Sequence, residues 1–114
     1  PYIREVIPEI STWDPVIVKA LMAPEVAATI PDEKFIRVMR FFSKLGALQS
    51  IDEPEFSEAH VDRETDIGRQ TILEYKIDAR YENDEAEINL QLLEKGASYE
   101  IYRFNFSSEL LLSS

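Results

Sequence analysis

Apolar residues in the first 46 positions recur with a helical period, and from about residue 56 they alternate with the period of a strand. Ile3, Ile7 and Ile10, with Val6 beside them, form one face of a first helix. Pro8 interrupts that face, because proline deletes a backbone hydrogen bond and crowds the preceding turn, so the helix is either kinked there or starts later. Asp14-Pro15 reads as a capping acceptor followed by a proline at the first helical position, and opens a short helix that Leu21 and Met22 close. Ala23-Pro24-Glu25 restarts the chain. Pro31-Asp32-Glu33 opens the strongest helix, with acids at its positive end and Arg37, Arg40 and Lys44 towards its negative end. Phe35, Val38, Met39, Phe42 and Leu45 make its buried stripe, and Gly46 is its expected C-terminal cap.

Beyond Gly46 the pattern predicts an antiparallel sheet of four strands. Leu48 and Ile51 lead to Pro54, and a first strand is expected from Phe56 to Asp62, followed by a loop over Arg63 to Arg69. The second strand has Leu73, Tyr75, Ile77, Ala79 and Tyr81 on one face and Glu74, Lys76, Asp78, Arg80 and Glu82 on the other. A sheet wet on one face and buried on the other is antiparallel. After the turn Asn83-Asp84, Ala86, Ile88, Leu90 and Leu92 repeat the alternation, and Lys95-Gly96 is a further turn. The fourth strand, Ala97 to Ser108, breaks the rule: Tyr99 and Ile101 share one parity, whereas Tyr102, Phe104 and Phe106 share the other. A strict strand would bury Arg103 and Asn105 and expose two phenylalanines. A one-residue bulge near Tyr102-Arg103 restores both phenylalanines to the core side and is therefore expected.

Length and composition fit this picture. A chain of 114 residues is one α+β domain, helices over about 2–46 and sheet over about 48–108, and it buries roughly two thirds of its unfolded surface. Twelve aromatic residues supply a core without cross-links, and the absence of cysteine excludes disulfides, thiolate metal sites and a cysteine nucleophile. Residues 1–50 carry six acids and six bases, so the whole net charge of −10 falls on the sheet half, with sixteen acids against six bases. Clustered Lys and Arg, which a phosphate backbone requires, are missing, so nucleic acid is excluded as a partner. No apolar run reaches the roughly 20 residues of a membrane span.

The chemical inventory is sparse. The three glycines stand apart at 46, 68 and 96, so there is no phosphate-cradling loop, and no cofactor is called for. His60 is the sole histidine, which rules out a histidine-rich metal site and leaves a structural role. The acids Asp52-Glu53-Glu55 and Asp62-Glu64-Asp66 do not follow the spacing of a calcium loop. General acid–base work needs a carboxyl in a dry pocket, whereas the acids of the second and third strands fall on the wet parity.

Ile10-Ser11-Thr12-Trp13-Asp14, Pro24-Glu25, Phe42-Ser43-Lys44-Leu45-Gly46, Ala79-Arg80-Tyr81-Glu82-Asn83 and Tyr102-Arg103-Phe104-Asn105-Phe106-Ser107-Ser108 occur in that order along nearly the whole chain. Together with three short helices before a curled four-stranded antiparallel sheet, they resemble the cone-shaped, cystatin-like fold of the nuclear-transport-factor-like superfamily. The likeness is to a family of small bacterial domains without an assigned activity. It implies the soluble part of exported or membrane-attached proteins, so an extracytoplasmic location after removal of a signal or anchor ahead of Pro1 is the expectation. Enzymes of the wider superfamily set an acid with a tyrosine, or a histidine with an aspartate, deep in the cone. Neither set maps onto this chain.

The leading expectation is a non-catalytic accessory domain that binds a small amphipathic organic ligand between helices and sheet. Trp13, Phe42, Tyr75 and Tyr99 are the candidate ligand-binding residues, joined by Arg103 and Asn105 if the bulge is absent. A homodimeric interaction module is the alternative, through the charged outer sheet face or the leucines Leu110-Leu111-Leu112, which either fold back on the chain or meet a partner. An isomerase or dehydratase using the cone pocket is the third.

Overall fold

The computed structural model describes residues 2–65, 68–95 and 98–113, and the side chains of all of these except 57–65, 68–70 and 95. Four helices precede the sheet: α1 (Tyr2–Ile10), α2 (Pro15–Ala20), α3 (Pro24–Ala27) and α4 (Asp32–Phe42), the last running into a 3-10 turn over Ser43–Leu45. Five antiparallel strands follow, β1 (Leu48–Ile51), β2 (Glu55–Thr65), β3 (Gly68–Tyr81), β4 (Glu85–Lys95) and β5 (Ser98–Ser107), and α5 (Glu109–Leu112) closes the chain. The α+β class is as expected, but the strands number five rather than four, and four helices rather than three precede them. β1 is the added strand: Leu48 and Ile51 are paired to Tyr81 and Ala79 of β3. Most of the loop expected over Arg63 to Arg69 is instead strand, with Arg63 to Thr65 paired to Gln70 to Gly68. The middle of that loop, Asp66 and Ile67, and the centre of the Lys95-Gly96 turn lie outside the described residues.

Local signals account for the helical half. Asp14 Oδ1 accepts from the backbone N–H groups of Val16 and Ile17 at 2.9 and 3.4 Å, capping α2 ahead of Pro15. Pro8 sits within α1 on its exposed side, and the helix continues through it to Ile10. β1 and β2 both lie beside β3, β4 follows, and β5 forms the far edge.

The core lies between the helices and one sheet face. Ile77, Ala79 and Tyr81 of β3, Ala86, Ile88, Leu90 and Leu92 of β4, and Ile101 and Phe106 of β5 meet Ile3, Ile7 and Ile10 of α1 and Phe35, Met39 and Phe42 of α4. The facing pairs Ile77–Ile88 and Ala79–Ala86 keep strict alternation, which puts Lys76, Asp78, Arg80, Glu85 and Glu87 on the opposite, wet face. Among the described residues Tyr81 is the one large polar member of this core, and its hydroxyl is 2.7 Å from that of Ser11, so neither buried oxygen lacks a partner. Burial pushes the Tyr81 phenol up to about 12, although the Ser11 hydrogen bond opposes the shift. Because this value exceeds the unfolded phenol's, the contribution of Tyr81 is intact below pH 10 and lost as pH rises from about 10 to 12. In an ultraviolet titration of tyrosinate formation, one tyrosine is therefore expected to ionise last, near pH 12, and Tyr81→Phe should abolish that step. Five tyrosines all titrating below pH 11 would contradict the buried hydroxyl pair.

Candidate functional site

β5 carries the expected bulge. Leu92 faces Ile101 and Gln91 faces Arg103, so Tyr102 is the extra residue, and beyond it Phe104 faces Leu90 and Phe106 faces Ile88. The insertion returns both phenylalanines to the helix side and leaves Arg103 and Asn105 exposed on the outer parity. The alternation rule, applied to a run in which it fails, places this feature near Tyr102-Arg103, where it lies.

Next to the bulge, the α2–α3 connection crosses the edge of the sheet from one face to the other. The Ile101 N–H donates to the carbonyl of Leu21 at 3.0 Å, and the Ile101 carbonyl accepts from the Ala23 N–H at 2.9 Å. This short parallel pairing at Met22 clips the α2–α3 connection onto the edge of β5. Met22 packs with the main core, whereas Ala23 belongs to a second cluster with Ile72 and Leu93, against which Val26 and Tyr102 pack. Ile72 and Leu93 face each other on the parity opposite to Leu73 and Leu92. The outer face of the sheet is thus apolar at this one end, and the connection that wraps β5 covers it.

Where the chain leaves that clip, a groove opens between the α3–α4 connection, α4 and the β5 edge. Its volume is about 320 Å³, within the range of small-molecule sites. Val26, Ile30, Phe35, Val38 and Phe104 form most of the apolar wall, with Met22 at one end. The charged residues of its lining are Lys34 and Arg103, both basic. Among the described residues neither is in an ion pair, and the Arg103 guanidinium lies 5.9 Å from the centre of the Tyr102 ring. Lys19 holds the wall in place instead: its ammonium donates to the Ile30 carbonyl at 2.8 Å and pairs with Asp32 at 2.6 Å, joining α2 to the start of α4.

Of the residues singled out from sequence, Arg103 alone lines this groove. Trp13, Phe42 and Phe106 form one aromatic cluster outside the groove lining, joined to it where Phe42 packs 6.2 Å from Phe104, and the Trp13 indole N–H donates to the Gly46 carbonyl at 2.9 Å. Tyr75 packs edge-on against exposed Phe56, and Tyr99 packs on Tyr2. Asn105 stands opposite Asn89 on the outer face. The six do not converge on one place. His60 falls in β2, with its side chain outside the described residues, as are those of Asp62 and Glu64.

Val26, Ile30 and Lys34 carry no sequence signal for a site, and Val38 reads as part of the buried stripe, since a helical stripe reports which face is apolar and not where a wall stops short of the sheet. The useful signal was Pro31, which with Pro24 breaks the helical run twice and sets α3 off from α4. A further hollow on the outer face is lined by Asp52, Asp78, Arg80, Glu85 and Glu87, yet among the described residues no group of acids is arranged to hold a metal ion. No described helix is long and apolar enough to cross a membrane. No family model, curated protein or solved structure matches the chain.

Proposed function

We propose that this chain is a non-catalytic binding domain whose groove beside β5 holds an amphipathic organic anion. The observation that carries the reading is the contrast in charge. A chain with net charge −10 lines this apolar groove with two bases that have no ion-pair partner among the described residues, and with no described acid. An apolar group entering between Phe35, Val38 and Phe104 loses its water, and a negative charge at the mouth meets Lys34 and Arg103 in a partly desolvated setting. Among the described residues the lining supplies no carboxyl and no imidazole, which supports binding over an isomerase or dehydratase reaction there. Helices packed on one face of an antiparallel sheet support, at this coarse level, the cone-shaped, nuclear-transport-factor-like form that the sequence resembles, and that membership is part of the proposal. The homodimer reading draws less support, because Leu111 is buried in the chain's own core and the tail leucine left exposed is Leu112.

Anilinonaphthalene sulfonate, an aromatic anion, is a suitable probe. Its fluorescence is expected to rise to saturation at one site, and the Lys34→Glu/Arg103→Glu double variant should weaken binding by about tenfold or more while keeping the parent's circular dichroism. Equal affinity for parent and variant, or no saturable site, would remove the proposal.

A further inference from the structure

Resting on the reading that the groove is a binding site, we infer that its occupant is an extended segment of a partner polypeptide, which adds to the free edge of β5 at Phe104 and sets acidic side chains against Arg103 and Lys34. Three features of the molecule converge on this, and a free small molecule uses only two of them.

The first is the edge itself. β5 is the last strand of the sheet, and its outward backbone groups are a template for another strand. The chain already uses this template once, where Leu21 and Ala23 bond to the two backbone groups of Ile101. The Ala23 carbonyl then accepts from the N–H groups of Val26 and Ala27, so the chain turns into α3, with Pro24 at its first position, and the pairing ends. Outward and inward backbone pairs alternate along an antiparallel strand, and after the bulge the alternation turns the N–H and C=O of Phe104 to the same edge as those of Ile101. Among the described residues, no backbone hydrogen bond reaches Phe104 from that edge. Its position in the groove lining leaves room for an incoming chain.

The second and third features are the walls and the charges, and the internal clip shows how a strand would divide its side chains between them. Met22, central in the clip, sends its side chain into the main core, while its neighbour Ala23 packs on the outer-face cluster. A segment laid on Phe104 in the same manner directs its central side chain onto Phe35 and Val38. Its flanking side chains fall on the outer side, where Arg103 stands, with Lys34 at the opposite wall. The recognised pattern is therefore an apolar residue flanked by aspartate or glutamate. Main-chain bonds supply affinity and alternate side chains supply selectivity.

A library of random ten-residue peptides displayed on phage, panned against the parent and counter-selected on Lys34→Glu/Arg103→Glu, tests the inference. Enrichment of alternating apolar and acidic sequences is expected. A synthetic copy of the selected peptide should displace anilinonaphthalene sulfonate and slow hydrogen exchange of the Phe104 amide by about tenfold or more. N-methylation of the peptide amide that bonds the Phe104 carbonyl should weaken binding by a similar factor. Peptides that displace the dye yet leave Phe104 exchange unchanged and tolerate N-methylation would overturn strand addition while the groove survives as a site. Saturable dye binding with no peptide enriched would overturn the polypeptide occupant. If the dye itself finds no saturable site, the reading of the groove falls and the inference falls with it.

Discussion

Phe106→Ala is expected to destabilise the fold by about 4 kcal/mol, lowering the melting temperature by roughly 15 °C. The ring is 3% exposed and is shared by four others, with centroids 4.9 Å from Phe42, 5.3 Å from Trp13, and 6.1 Å from both Tyr81 and Phe104. These partners come from α4, the α1–α2 connection, β3 and β5 itself. Truncation removes contacts to all of them at once, and a close-packed surround relaxes only partly into the hole left behind. For a domain of this size the loss is a large fraction of the total stability. Phe56→Ala is the matched control: its ring is 56% exposed and packs edge-on against Tyr75, so its removal should change stability by no more than about 1 kcal/mol. Thermal or urea unfolding of the two variants decides the matter. Similar losses in both would mean that β5 is not anchored through Phe106.

That experiment also bears on how the fold could be read from residue order. The expectation that Phe106 is buried rested on a conflict: strict alternation from Tyr99 buries Arg103 and exposes two rings, and a single inserted residue removes both penalties. Conflicts of this kind are legible because the rejected alternative is so unfavourable. β3 and β4 were legible for the complementary reason, since the unbroken pairing from Ile72–Leu93 to Arg80–Glu85 keeps the main-core side chains on one parity. β1 was not, because four residues cannot display a period, and pairing with the far end of β3 decides their state. The site was less legible still. Trp13 and Phe42 look like the wall of a pocket in sequence, but aromatic rings fill space equally well, and these fill it with each other's neighbours. A groove is a place where packing stops, and that depends on the angle at which α3 and α4 leave the edge of β5. Residue type at one position carries no record of such an angle. Arg103 is expected at a site only without the bulge, yet it reaches the groove from the outer parity with the bulge in place, and Lys34 looks like any solvated helical lysine.

Gly46→Ala is the second large expected effect, about 3 kcal/mol or more, from a residue with no side chain to lose. The Gly46 backbone has φ of 83° and ψ of −156°, a region open almost only to glycine rather than the left-handed helical form usual at a cap. An added Cβ would also lie 2.7 Å from the carboxylate Oε1 and 2.9 Å from the Cβ of Glu82, and 3.0 Å from Nδ2 of Asn83. Three further connections meet there: the Glu82 N–H donates to the Ala47 carbonyl at 2.8 Å, the Asn83 N–H to the Leu45 carbonyl at 2.9 Å, and the Trp13 indole to Gly46 itself. Trp13 is also held at φ of 60°, an unusual conformation for a bulky residue, which the indole hydrogen bond and the packing on Tyr81 and Phe106 sustain. Displacing the Gly46 carbonyl therefore loosens the joint between the helical layer and the β3–β4 turn, and the environment of the single tryptophan should report it. The loss in stability is expected together with a red shift and broadening of Trp13 fluorescence. Glu82→Ala should not rescue it, because the Cβ contact and the positive φ both persist. A Gly46→Ala protein within 1 kcal/mol of the parent, or one fully rescued by Glu82→Ala, would show that a movable carboxylate, and not the backbone, sets the requirement for glycine.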